Sequence, residues 1–138
     1  MSVISTDLQA STSIARHTFA GLKKSVGQAR EWAELRLVEQ GVDVPEHLTL
    51  ILSEVVTNTV QHTRSGFAGG KFAVRLITYP DRVRIEVRDS GPRDGRTLAR
   101  RTPTLNAERG RGLFLVESFA SAWGRLPVGT GVFAEVAR

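Results

Sequence analysis

One stretch, Leu48–Thr63, constrains the fold of this chain more than any other, because as a helix it has two very different faces. Isoleucine, leucine and valine cover most of its circumference. Glu54, Asn58 and His62 recur every four residues and so lie on one side. The β-branched valines are poor helix formers, so such a helix must be held by packing. The stretch therefore predicts a buried helix with one polar stripe.

The chemistry of that stripe suits a metal ion or a phosphate. Glu54 and Asn58 stand one helical turn apart, and both side chains supply oxygen, the ligand that hard cations such as Mg²⁺ prefer. The ordinary alternative is a helix edge that faces water, or a satisfied polar network. Short motifs recur by chance, so the stripe alone leaves both interpretations open.

Composition indicates one globular domain. The chain has 138 residues, of which 41% are hydrophobic and 24% charged. We expect a disordered lead over residues 1–12 and a single domain over 13–138. The absence of cysteine excludes disulfides, thiol catalysis and cysteine-ligated zinc and fits a cytoplasmic location, and we expect no secretion signal and no membrane span. The net charge of +5 suggests an anionic partner, which could be nucleic acid, nucleotide phosphate or an acidic protein surface, unless it is simply a soluble basic surface.

Hydrophobic periodicity outlines the first half of the fold. We predict an edge strand over 13–21 and a helix over 22–40 that ends at Gly41. Asp43 and Glu46 have capping-box spacing, which predicts that the central helix begins there. An antiparallel hairpin follows, with strands over 71–78 and 82–88. In the second strand Val83, Ile85 and Val87 alternate with three residues expected to face water: Arg84, Glu86 and Arg88.

Three features in the second half carry chemistry. Asp89-Ser90-Gly91 follows a strand, where a carboxylate can accept a hydrogen bond from an amino group, although the same residues make an ordinary turn. Residues 93–109 form a long arginine-rich segment, either functional or simply solvated. Gly110-Arg111-Gly112 opens a helix predicted over 113–122, where free N–H groups favour anions, unless it is a plain helix entry. Trp123-Gly124 is expected to break that helix before a last hairpin.

The order of these features resembles the GHKL nucleotide-binding superfamily over about residues 45–138. SEVVTNTVQHT is similar to the asparagine-containing N box, GRGLFLVESFASAWG to the second glycine box, and GTGVFAEV to the final hairpin. The resemblance is closest to the stand-alone bacterial anti-sigma-factor serine/threonine kinases. It implies an α+β two-layer sandwich, a mixed and mostly antiparallel sheet with helices on one face.

The resemblance also implies a site for ATP and Mg²⁺. Glu54 would be the catalytic base and Asn58 the Mg²⁺ ligand. Asp89 would accept from the adenine amino group, Gly91 would give the base room, and residues 93–109 would act as a lid. Nucleotide contacts are further expected from Arg109, Gly110, Arg111, Gly112, Leu113 and Thr130. The role of Arg109, charge stabilisation, is inferred from its charge rather than from the motif.

Two departures stand beside this match. The first glycine box of the superfamily often reads Asp-x-Gly-x-Gly, and here Arg93 replaces the second glycine; the final turn, residues 128–131, also carries an extra glycine. The first departure puts the geometry of the lid in doubt. It supports the alternative of a non-catalytic protein-binding module with weak or no ATP binding.

The leading hypothesis is an ATP-dependent anti-sigma factor with serine/threonine kinase activity. It would sequester a sigma factor and phosphorylate an anti-sigma-factor antagonist, and the resemblance further implies a homodimer. We do not expect direct nucleic-acid binding, because the arginines cluster in the expected lid and no recognition-helix or aromatic RNA-binding motif is visible.

Overall fold

The computed structural model describes residues 13–93 and 110–138, which form a sheet and a layer of helices. In chain order the elements are β1 (Ser13–Ala20), α1 (Ser25–Glu39), α2 (Leu48–His62), a 3₁₀ turn (Arg64–Gly66), β2 (Lys71–Thr78), β3 (Arg82–Arg88), α3 (Gly110–Phe119), β4 (Ala122–Arg125) and β5 (Gly131–Ala137). The expected disordered lead, 1–12, and most of the expected lid, 94–109, lie outside the described residues. None of the described helices is long and apolar enough to cross a membrane.

The five described strands form one sheet in the order β1-β2-β3-β5-β4, and each pairing among them is antiparallel. Helix α2 packs against α1, α3, β3 and β5, so it lies at the centre of the helical layer. The predicted α+β class is confirmed. The predicted bounds of β2 and β3 are also confirmed, and β1 is an edge strand as expected.

The core lies between α2 and the middle of the sheet. Six residues of α2 are buried: Leu48, Ile51, Leu52, Val55, Val56 and Thr59. They meet the alternating apolar side chains of β2 and β3, of which Val83 and Ile85 are fully buried. Burial of this face therefore stabilises α2, because its valines have low intrinsic helix propensity.

Helix ends agree with the sequence in one case and differ in two. Helix α1 closes with a Schellman pair of bonds, from Gly41 N–H to Val38 O and from Val42 N–H to Leu37 O. The capping-box prediction was wrong: α2 begins at Leu48, and His47 precedes it in the left-handed region at φ 71° with no side-chain cap. The third helix ends at Phe119, so Trp123-Gly124 lies within β4 instead of breaking a helix.

The outer face of the sheet holds a further correction to the sequence predictions, because Glu86 is buried rather than exposed to water. Its carboxylate accepts from Arg75 Nη1 at 3.0 Å and from Arg84 Nε at 2.8 Å. Arg84 also bonds Glu135 at 3.0 Å, and its guanidinium lies 4.0 Å from the centroid of the Phe133 ring. Long arginine side chains, one from the neighbouring strand β2 and one from β3 itself, thus cover the carboxylate that period-two alternation had placed in solvent.

We expect Glu86→Ala to lower the free energy of unfolding by about 3 kcal/mol, because it leaves half-buried arginine charges without their partner. Urea denaturation measures the change. Glu39→Ala is the matched control: Glu39 pairs with Arg36 at 3.1 Å on the exposed side of α1, and its loss should cost less than about 1 kcal/mol. Equal losses in the two variants would contradict the prediction.

Candidate functional site

The polar stripe of α2 carries a buried amide without a hydrogen-bond partner. The Nδ2 atom of Asn58 is inaccessible to solvent, and no group among the described residues bonds it. A buried polar atom left in this state costs about 1–3 kcal/mol, so such atoms are uncommon in folded proteins. Rotation of the amide by half a turn exchanges its oxygen and nitrogen, so the same position can present an acceptor or a donor. The amide of Asn58 is therefore free to contact a polar ligand through its nitrogen or, after rotation, through its oxygen.

Glu54 lies one helical turn before Asn58 and is partly buried. Burial raises the pKa of the Glu54 carboxyl above its ordinary value, because the charged form loses hydration. A raised pKa brings a carboxylate closer to the basicity that proton abstraction near neutral pH requires. Position and basicity together suit Glu54 to act as a general base.

The end of β3 forms a second polar wall. The N–H of Gly91 donates to Asp89 Oδ1 at 2.8 Å, and this bond fixes the orientation of the carboxylate. The Thr130 hydroxyl donates to the Asp89 carbonyl at 2.8 Å, and the Asp89 N–H donates to the Thr130 carbonyl at 3.1 Å. Gly91 has φ +98°, a conformation that favours glycine. Asp89, Gly91 and Thr130 therefore meet in one place, and the Oδ2 atom takes no part in these bonds.

Hydrogen bonds join that wall to the end of α2. The Arg64 N–H donates to the Gly91 carbonyl at 2.9 Å, and Thr63 pairs with Pro92 in an isolated bridge. The Ser90 N–H donates to Ser65 Oγ at 3.0 Å. The helix that carries Glu54 and Asn58 is thus tied, at its C-terminal end, to the turn that carries the Asp89 carboxylate.

The first turn of α3 consists of Gly110, Arg111, Gly112 and Leu113, and α3 packs against α2. The first four N–H groups of an α-helix have no acceptor within the helix and carry partial positive charge, which suits an anion. The Asp89 turn and α3 are thus both linked to α2, the helix that carries the polar stripe, the turn by hydrogen bonds and α3 by direct packing.

Comparison with known proteins identifies the family. A family model described as a histidine kinase-like ATPase domain matches residues 13–132. The chain belongs to the histidine kinase-like ATPase family. The chain is also similar to a protein named serine-protein kinase RsbW of Bacillus pumilus (strain SAFR-032), with 46% identity over 48 residues. That match spans 33% of this chain and 30% of the length of the kinase.

In this histidine kinase-like ATPase domain, the structure joins some of the site residues expected from the sequence directly and others indirectly. Asp89, Gly91 and Thr130 are joined by hydrogen bonds, and Glu54 and Asn58 share one helix. Residues 110–113 occupy a helix start, as expected, while Arg109 lies outside the described residues. Their roles toward a ligand stay predictions.

The sequence did not predict that Arg93 connects the segment after β3 to the end of α2. The segment 93–109 was expected to form a lid, yet the guanidinium of Arg93 bonds backbone carbonyls at the end of α2. The departure from the glycine box at this position was a sign that Arg93 has a different role. The neighbouring sequence, however, did not indicate which groups the arginine side chain would contact.

We expect Glu54→Gln to melt at a higher temperature than the parent at pH 7. Because the pKa of Glu54 is raised from its ordinary value of 4.5, the folded state holds this proton more tightly than the unfolded chain. The carboxylate therefore costs stability above the raised pKa, and this cost vanishes below pH 4.5. The advantage of glutamine should accordingly disappear near pH 4.

Thermal melts at the two pH values check this, with Glu34→Gln, at an exposed position of α1, as the control. An advantage of the same size at both pH values would show that the gain does not come from the buried charge.

Proposed function

We propose that this chain is an ATP-dependent serine/threonine kinase that also acts as an anti-sigma factor. It would bind Mg-ATP, phosphorylate an anti-sigma-factor antagonist and hold a sigma factor inactive. Membership of the histidine kinase-like ATPase family supports ATP binding, and the partial match to a serine-protein kinase supports the choice of reaction. The observation that carries the proposal is the buried amide nitrogen of Asn58, which has no partner among the described residues and lies one turn from a carboxyl of raised pKa.

The site residues divide into binding and chemistry. Asp89 would accept from the adenine amino group, with Gly91 and Thr130 bordering the base. The N–H groups of residues 110–113 would donate to the phosphates, and Arg109 would offset charge on the transferred group. Glu54 would accept the proton of the substrate hydroxyl. The hydroxyl oxygen would then form a bond to the γ-phosphorus of ATP while the bond from that phosphorus to the departing ADP oxygen breaks.

The residues present fit Mg²⁺. An asparagine carboxamide supplies oxygen, Mg²⁺ takes oxygen ligands, and in phosphate sites it takes the remainder from phosphates and water. Asn58 has the side-chain group required, and its amide nitrogen has no partner among the described residues, so rotation of the amide by half a turn would present the oxygen at the same position. When bound, the ion would neutralise phosphate charge. Asn58 would hold it in place at the stripe.

The partners and the assembly are part of the same proposal. Binding of a sigma factor and an antagonist follows from the likeness to anti-sigma-factor kinases. A homodimer through the N-terminal strand and first helix is supported by the edge position of β1 and by a groove beside it lined by Phe19, Trp32 and Leu35. Sedimentation of a monomer at all concentrations would refute the homodimer.

We expect saturating Mg-ATP to stabilise the parent protein by about 2.7 kcal/mol at a hundredfold excess over Kd. Asn58→Leu should lose most of this gain. The same variant should be at least as stable as the parent without ligand, since it removes an unsatisfied polar group. Thermal melts with and without Mg-ATP measure both effects.

Gln61→Ala serves as the control, because Gln61 is an exposed residue of the same helix. If the parent itself gains no stability from Mg-ATP, the alternative of a non-catalytic protein-binding module replaces the kinase.

We expect Glu54→Gln to lower the rate of phosphate transfer to an antagonist by about 10²–10⁴-fold, the usual contribution of a general base. Stabilisation by Mg-ATP should survive, because Glu54 is assigned to the hydroxyl and not to the nucleotide. Transfer of labelled phosphate in a single turnover measures the rate. A variant that transfers phosphate at the parent rate would remove Glu54 from the mechanism.

A further inference from the structure

Arg93 makes three contacts that converge on the end of α2. Its Nε atom donates to the Thr63 carbonyl at 2.9 Å, and its Nη2 atom donates to the Val60 carbonyl at 2.9 Å. The guanidinium carbon lies 4.8 Å from the centroid of the Phe67 ring. One planar group is thus held by two hydrogen bonds and a ring face, a geometry that arginine provides and lysine does not.

The end of α2 is shaped to receive this group. Val60 belongs to the last turn of the helix, whose carbonyls have no N–H donor within the helix and carry partial negative charge, so a cation there is stabilising. A Cβ atom on Gly66 would collide with the Val60 carbonyl and would lie only 2.8 Å from Arg93 Nη2. Gly66 therefore keeps open the space in which the guanidinium meets the backbone.

The contacts of Arg93 span the two walls of the site. Its backbone follows Gly91 by two residues and belongs to the segment that begins with the Asp89 carboxylate. Its side chain reaches Val60, two residues after Asn58 on α2. A ligand that touches both Asp89 and Asn58 requires a particular distance between these two side chains. Contacts that bridge the two segments set that distance.

We propose that Arg93 is a positioning residue for the nucleotide site: by clamping the last carbonyls of α2 to the segment after Gly91, it fixes Asn58 relative to Asp89. This inference rests on the proposed function. It also gives the arginine at the second glycine position of the first glycine box a defined task, the anchoring of the strand end to the helix.

The test compares Arg93→Ala and Arg93→Lys with Arg64→Ala. Arg64 is an exposed arginine in the same turn, and its bond to Gly91 uses the backbone N–H, which alanine keeps. Calorimetric titration with Mg-ATP should show about tenfold weaker binding in Arg93→Ala, the cost of losing charge-assisted hydrogen bonds. Arg93→Lys should recover part of the affinity, and Arg64→Ala should bind as the parent does.

Amide hydrogen exchange without nucleotide gives a second readout. The amides of residues 63–66 should exchange faster in Arg93→Ala than in Arg64→Ala, because the carbonyl clamp is gone. Unchanged exchange would show that the clamp does not hold the helix end. Faster exchange with parental affinity for Mg-ATP would show a structural role alone, and either result overturns the proposal.

Two arrangements keep the test decisive. If Arg93→Ala does not fold, Phe67→Leu removes the ring face at a half-exposed position and should weaken binding in the same direction. Parental affinity in that variant and in Arg93→Lys would then overturn the proposal. If the parent does not bind Mg-ATP, the proposed function falls first and the nucleotide role of Arg93 falls with it. The exchange rates still decide separately whether Arg93 holds the end of α2.

Discussion

The structure depends on the burial of α2 against the middle of the sheet. Its β-branched residues weaken the helix locally, and its first residue follows His47 in a left-handed conformation with no side-chain cap. Apolar contact with β2 and β3 must therefore supply what the local sequence does not. A helix held in this way is fixed in rotation as well as position, so its polar stripe keeps one orientation relative to the sheet. Rigidity of the stripe is thus a by-product of how the core is packed.

Packing alone would let the polar stripe of α2 and the turn that carries Asp89 move independently. Hydrogen bonds from the residues that follow His62 prevent this. Arg64, Ser65 and Thr63 each contact the segment that follows β3, through backbone groups or short side chains. Such bonds are short in reach and strict in geometry, so they transmit position better than long surface ion pairs do. The ion pairs of Arg75 and Arg84 with Glu86 lie instead on the outer face of the sheet, where they cover the Glu86 carboxylate.

Periodicity predicted the fold well where one element alone determines the pattern. The bounds of β2 and β3 follow from the alternation of apolar and polar residues. The failures arose where distant residues decide. The spacing of Asp43 and Glu46 fits a capping box, yet α2 starts at Leu48. The burial of Glu86 requires the register of three strands. In the site, motif order predicted the neighbours Asp89, Gly91 and Thr130, whereas the partner of Arg93 follows only from the folded path of the chain.

The treatment of polar groups along α2 separates structural residues from functional ones. The hydroxyls of Ser53 and Thr59 bond carbonyls one turn earlier, at 2.8 and 3.0 Å, so these side chains satisfy themselves within the helix. Asn58 stands between them in sequence, and its buried amide nitrogen has no hydrogen-bond partner among the described residues. Glu54 adds a second cost in folding stability, because its carboxyl is desolvated by burial. Desolvation is the cause of its raised pKa, and no cation contributes to that shift. An amide nitrogen without a partner and a desolvated carboxyl, one turn apart in a helix where Ser53 and Thr59 satisfy their own hydroxyls, favour selection for a ligand over selection for stability.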